Sequence, residues 1–217
     1  MRPVSLHEPP YLIAPPSPAK LWALCTTLAS NPAIPHILIL DFTESFQPPI
    51  VAREVIPGTP HPYASPELIL SNFLPCSEIT PSIDIWAFGC TAFKLFSGKD
   101  LFTTSMGMGA VGVLADIIST RYEFEGFPER YWKVFWEKLR PRGWFTADGE
   151  LVEGPIRNIG NWDKKIRMIR GGGRLEEEDE AALRMIMQAA LRFEPGKRAT
   201  AEQIVAMIPA SWESIGV

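Results

Sequence analysis

The sequence predicts a mainly α fold with a minimal β element, and three observations carry that expectation. Apolar residues recur at helical spacing over Leu183, Ile186, Met187, Ala190 and Leu191. A second apolar stretch, Thr80 to Ser97, is bracketed by residues that start and stop helices. Only one short run, His36 to Phe42, reads as a strand. The expected count is about six helices against one strand or a small sheet.

The elements follow in chain order. Residues 1–35 hold Pro9-Pro10 and Pro15-Pro16, which remove backbone donors and favour extended structure, so this part reads as an irregular tether. Its apolar run Leu21 to Leu28 is broken by Thr26 and Thr27 and preceded by proline and Glu8, unlike a secretory signal. His36 to Phe42 (HILILDF) is an apolar run that ends in an acid, most simply a buried strand. Proline and glycine then punctuate Gln47 to Tyr63, which reads as a loop.

From Thr80 to Ser97 a single helix is expected: Thr80 can cap, Pro81 suits the first turn, and Gly98 can take the left-handed position at the end. Ile83, Trp86, Ala87, Cys90 and Phe93 form one face, while Ile85, Phe88, Leu95 and Phe96 cover other sides. Such a helix is expected to be buried all round, with Trp86 in the core.

Further helices are expected at Met106 to Ile118 and Glu129 to Leu139, and residues 140–174 read as irregular. Gly171-Gly172-Gly173 follows no strand and lacks a phosphate-binding fingerprint, so it reads as a plain loop. Glu176, Glu177, Glu178 and Asp179 gather at the positive end of the next helix, where a solvated first turn accounts for them. Glu194-Pro195-Gly196 stops that helix, and Thr200-Ala201-Glu202-Gln203 matches a capping box opening a last helix to about Met207.

A chain of 217 residues, 46% hydrophobic and 21% charged, is long enough for one domain with a real apolar core. The division expected is an irregular segment, 1–35, and a domain, 36–217. A formal net charge of -4 argues against direct nucleic-acid binding, which calls for a basic face. No apolar stretch is long enough to span a bilayer. Cys25, Cys76 and Cys90 form no Cys-x-x-Cys spacing and leave one unpaired, which points to a reducing compartment, cytoplasm or nucleus.

Four motifs in order resemble the second half of a eukaryotic protein kinase of the serine/threonine type. Asp41-Phe42-Thr43-Glu44 resembles the metal-binding Asp-Phe-Gly element, with Thr43 in place of glycine. Ala64-Ser65-Pro66-Glu67 resembles the Ala-Pro-Glu element that closes the activation segment. Asp84-Ile85-Trp86-Ala87-Phe88-Gly89-Cys90 resembles the start of the central buried helix of the large lobe, and Glu194-Pro195-Gly196-Lys197-Arg198 the late segment whose arginine meets the Ala-Pro-Glu glutamate. The likeness covers roughly residues 36–212. Within the family, Glu44-Ser45-Phe46 after Asp41-Phe42, and Phe127-Pro128-Glu129-Arg130-Tyr131-Trp132 before Trp144-Phe145-Thr146-Ala147-Asp148-Gly149, are most similar to fungal kinases related to the SR-protein kinases.

This resemblance implies a kinase-like C-terminal lobe without the N-terminal lobe. It further implies a Glu67–Arg198 ion pair and an Asp84 that holds the backbone of a catalytic loop, although an acid in a first helical turn also complements the helix dipole. Trp86 and Gly89 would be structural. For the family it implies ATP and Mg²⁺ as cofactors and protein substrates, in the SR-related branch Arg-Ser-rich proteins. Asp41 is the one residue that matches a metal ligand; as an acid ending a strand it would equally cap the next turn.

Phosphoryl transfer needs a cradle for the phosphates, a lysine to hold them and a general base. The 217 residues contain no glycine-rich loop, no Val-Ala-Ile-Lys strand and no His-Arg-Asp loop, so no catalytic residue is assigned. The expectation is a kinase-domain piece inactive as this chain, binding ATP weakly if at all. The alternative is a pseudokinase-type module that binds protein partners.

Overall fold

The computed structural model describes residues 45, 50–51, 58–71, 73–74, 78–103, 109–121, 126–139, 165–166 and 177–213. The chain divides into two units, Met1–Asp41 with Ala210–Val217, and Phe42–Pro209. In the first unit the described residues form one short helix, Ala210–Glu213, which the sequence analysis does not anticipate. The expected strand His36 to Phe42, with Asp41, lies outside the described residues, as do the triple glycine and Cys25 and Cys76.

Within the second unit, proline sets the first turns. Pro60 precedes a 3-10 turn, His61–Tyr63, and Pro66 opens α1, Pro66–Leu70, where its missing N–H would have had no helical partner. Between the two, Ala64 and Ser65 are extended and buried. The β element consists of β1, Ile50–Val51, antiparallel to β2, Glu78–Ile79, with Ile50 opposite Ile79 and Val51 opposite Glu78.

The central helix, α2, runs Ser82–Ser97. Its start differs from the expectation. Pro81, not Thr80, occupies the N-cap position and no side chain caps the helix, because the Thr80 and Ser82 hydroxyls are hydrogen-bonded to each other at 2.6 Å. The Thr80 and Pro81 carbonyls instead accept from Ile83 N and Asp84 N in a tight first turn. At the other end Gly98 has φ 68° and donates its N–H to the Lys94 carbonyl at 2.8 Å, a left-handed cap that a side chain would strain.

Burial of α2 is one-sided, which corrects the expectation of a helix covered all round. Trp86, Gly89, Cys90 and Phe93 are buried, whereas Phe88 is 42% and Leu95 80% exposed. The described elements packed on α2 are the turn His61–Tyr63, the turn Pro195–Lys197 and the long helix α5.

Helix α3, Gly109–Arg121, buries every side chain from Val113 to Ile118, Asp116 included. Helix α4, Glu129–Val134, passes into a π-helical turn, Phe135–Leu139, so the expected single helix is present with a change of pitch. Its aromatics form a stack: Trp132 lies 5.7 Å from both Phe135 and Trp136 at small interplanar angles, and Phe127 meets Tyr131, Trp132 and Phe193 edge-on or tilted. Leu70 of α1, Leu114 and Ile118 of α3, and Tyr131 and Phe135 share one core cluster.

Helix α5, Glu177–Ala190, buries Ala182, Leu183, Ile186, Met187 and Ala190 against α2, following the helical spacing read from the sequence. Glu177 and Glu178 are exposed in its first turn, while Glu180 is buried and paired with Arg184. A 3-10 turn, Pro195–Lys197, leads to α6, Ala201–Ala206. Both arms of the capping box are formed: Gln203 N donates to Thr200 Oγ1 at 3.3 Å and Thr200 N donates to Gln203 Oε1 at 2.8 Å. Ala210–Glu213 is then α7.

Candidate functional site

The most heavily bonded group in the described residues is the Arg198 guanidinium. Nη1 donates to Glu67 Oε1 at 2.6 Å and Nη2 to Glu67 Oε2 at 2.7 Å, the parallel two-point geometry that the planar fork favours. The three remaining N–H groups donate to backbone carbonyls: Nε to Arg192 at 2.8 Å, Nη1 to Ser82 at 2.9 Å and Nη2 to Phe193 at 3.3 Å. All five donors are thus used, and the side chain is fully buried.

One face of that guanidinium lies 5.1 Å from the Trp86 ring centre, and Trp86 stacks on Phe102 at 5.6 Å. The sequence marks Glu67, Trp86 and Arg198 as structural positions; the structure gathers them into one layer between α1, α2 and the turn after α5. The fit has one flaw: among the described residues neither Trp86 Nε1 nor Ser65 Oγ has a hydrogen-bond partner. A buried unpaired donor costs about 1–3 kcal/mol, which the surrounding packing must offset.

Gly89 sits one turn along α2, where α5 ends. A Cβ at Gly89 would lie 2.9 Å from Leu191 Cδ2 and 3.1 Å from Ala190 Cβ, so the absence of a side chain is what lets the two helices meet. Asp84 is exposed in the first turn of α2, and partial burial holds its carboxyl above the usual carboxylate range. Among the described residues its carboxylate has no hydrogen-bond partner; its backbone N–H donates to Pro81. Cys90, beside Gly89, is a buried thiol whose ionisation desolvation pushes far up, so it is inert.

A second charged centre is not foreseen from the sequence. Lys165 Nζ donates to both Asp116 oxygens at 3.0 Å and to the Leu101 carbonyl, and lies 4.9 Å from the Phe102 ring centre. Asp116 also accepts from Thr103 N at 2.9 Å and from Thr120 Oγ1 at 3.3 Å. Burial pushes the Asp116 carboxyl up and the Lys165 ammonium down, each partly offset by the other. Lys165 falls in a stretch with no periodicity, but an acid amid Leu114, Ala115, Ile117 and Ile118 is a signal that a partner cation was to be sought.

A third cluster is solvent-facing. Tyr63 Oη donates to Asp100 Oδ1 at 3.0 Å, and Lys94 Nζ donates to Tyr63 Oη and Asp100 Oδ1, each at 2.9 Å. It ties the turn before α1 to the end of α2. The hydrogen bond from Lys94 holds the Asp100 carboxyl below its usual range.

Asp41, the one candidate metal ligand, lies outside the described residues. Among the described residues no group of three or more His, Cys, Asp or Glu side chains is placed to hold a metal ion. No described helix is long and apolar enough to cross a membrane.

No protein-family model matches the chain. Individual proteins do. The chain is 31% identical over 144 residues to mitogen-activated protein kinase 16 of Arabidopsis thaliana, covering 66% of this chain and 21% of that protein. It is 28% identical over 144 residues to mitogen-activated protein kinase 15 of the same plant, covering 66% of this chain and 20% of the relative. Over a shorter stretch of 58 residues it is 38% identical to mitogen-activated protein kinase 15 of Oryza sativa subsp. japonica, 27% of this chain and 11% of that protein. The chain spans about a fifth of the length of the curated relatives it matches over 144 residues. These findings support a protein-kinase family. The mainly helical fold with its minimal β element is that of a protein-kinase-like C-terminal lobe.

Proposed function

We propose that this chain forms the helical lobe of a serine/threonine protein kinase, the part that holds the protein substrate, and that these 217 residues alone do not transfer phosphate. The observation that carries this reading is the buried Glu67–Arg198 pair. It pins α1, and with it the segment from Gly58 to Ser65, to the layer beneath Trp86. A substrate chain bound along that segment would meet a surface that does not yield. Kinase catalysis is mostly positioning, so a fixed substrate surface is a contribution this lobe can make without holding nucleotide.

The remaining parts of the reaction, the phosphate cradle, its lysine and the general base, have no motif in this sequence. In the family they act with ATP and Mg²⁺, and phosphorylation of protein serine or threonine belongs to the assembled kinase. Of substrate classes, Arg-Ser-rich proteins rest on the SR-protein-kinase-like segments 127–132 and 144–149, and the cytoplasm or nucleus on the cysteine usage.

The test is calorimetric titration of the purified chain with ATP and magnesium, alongside transfer of labelled phosphate to an Arg-Ser peptide and a general Ser/Thr substrate. Expected are no micromolar nucleotide binding and no transfer. Micromolar binding that disappears in Asp41→Ala would overturn the reading.

A further inference from the structure

A cavity of about 590 Å³ lies where the end of α5, the turn Pro195–Lys197 and α6 meet. Ala189, Ala199 and Ala206 line it with methyl groups and Met207 with a longer apolar side chain. The charged residues of its described lining are Arg192, Lys197 and Arg198, all cations, in a chain whose formal net charge is -4. Arg198 has no donor left, since all five serve Glu67 and the backbone. Arg192 and Lys197 differ: neither side chain has a hydrogen-bond or ion-pair partner among the described residues. Glu194, which lies between them in sequence, is held by Arg130.

The backbone that carries these two cations is fixed. The Arg192 carbonyl accepts from Arg198 Nε at 2.8 Å, the Lys197 N–H donates to the Glu194 carbonyl at 3.0 Å, and the Ala199 N–H donates to the Ala189 carbonyl at 3.1 Å. The buried pair that holds α1 therefore also sets the wall of the cavity. A site on a pinned backbone loses little entropy when a ligand arrives.

We propose that this cavity binds a phosphorylated side chain, a phosphoserine or phosphothreonine on an extended segment of a partner protein. A phosphoryl group carries about two negative charges at neutral pH, so it neutralises both free cations at once, where a single carboxylate would leave one unpaired. The Arg192 fork can take two of its oxygens and Lys197 a third. Gln203 lines the same cavity with its carbonyl oxygen committed to Thr200 N, which leaves its amide group to donate. The alanine walls admit a peptide backbone, and no described lining residue is aromatic, so a nucleotide base finds nothing to stack on. The site stands apart from the substrate surface at Gly58 to Ser65, since it needs no phosphoryl transfer by this chain.

Fluorescence anisotropy of a dye-labelled alanine-glycine peptide with one central phosphoserine, titrated with the purified full chain, tests this. Expected is saturable binding, with the unphosphorylated peptide and its aspartate counterpart each weaker by about tenfold or more. Arg192→Ala and Lys197→Ala should each lose about tenfold while the urea unfolding midpoint stays unchanged, because neither side chain has a partner to lose. Lys133→Ala removes an exposed cation outside the cavity and should leave binding intact. Ala206→Glu sets a carboxylate beside the two cations at an exposed position and should abolish binding. The proposal is overturned by an absence of saturable binding, by an aspartate peptide that binds as tightly, or by free inorganic phosphate that does. Binding that ignores the Arg192 and Lys197 substitutions, or that Lys133→Ala weakens equally, overturns it as well.

Discussion

Gly89 and Leu191 touch so closely that a single added carbon has no room: a Cβ on Gly89 would lie 2.9 Å from Leu191 Cδ2 and 3.0 Å from its Cγ. Leu191 is itself fully buried, so it cannot swing aside into solvent. Gly89→Ala is expected to destabilise the chain by about 1–3 kcal/mol despite the higher helix propensity of alanine. Pairing it with Leu191→Ala should cost less than the sum of the two single changes, read from urea unfolding midpoints.

Removing one partner of the Glu67–Arg198 pair leaves the other charge buried. Glu67→Ala and Arg198→Ala are each expected to cost about 3–5 kcal/mol, measured by urea unfolding. Arg198→Lys should recover little, since an ammonium cannot span both Glu67 oxygens while also reaching the carbonyls of Ser82, Arg192 and Phe193.

Replacing Lys165 by Met leaves the buried Asp116 with its hydrogen bonds from Thr103 and Thr120 but without its cation, and its carboxyl, already raised by burial, rises further. A carboxyl whose folded-state pKa exceeds its unfolded value favours folding below the unfolded pKa and loses that advantage as pH climbs through the folded one. The stability deficit of Lys165→Met should therefore be larger at neutral pH than near the carboxylate range. Unfolding at two pH values checks this; a deficit that grows on acidification would contradict the buried geometry.

Asp100 has the opposite sign. Its carboxyl is held below the usual 3.8, chiefly by the hydrogen bond from Lys94, so its contribution is present above that value and is lost as pH falls through the depressed one. Asp100→Asn should be less stable than the parent near neutrality, with the difference closing at low pH.

Much of this was legible in the sequence where the signal is local. The α5 stripe follows from the 3.6-residue period, the α6 start from the Thr200–Gln203 box, and the α2 end from Gly98, because each depends on residues within a turn or two. What depends on distant neighbours was not. Thr80 failed to cap because Ser82 competes for its hydroxyl, and Leu95 is exposed although its composition reads as core. Lys165 finds Asp116 across 49 residues with no motif to announce it. Glu67 and Arg198 are 131 residues apart, and only the order of motifs, not spacing or period, relates them.

That separation has a consequence for how the chain is made. Synthesis delivers Glu67 first and the guanidinium that neutralises it only 131 residues later. Until then α1 has no counter-ion to bury against and its burial is unfavourable, so the lobe cannot be assembled turn by turn behind the ribosome. Closing so long a loop is also slow, and it puts the decisive contact late on the folding pathway. A nascent chain halted before Arg198 should remain open to protease at Pro66–Leu70, and only the stretch that carries Arg198 would close it.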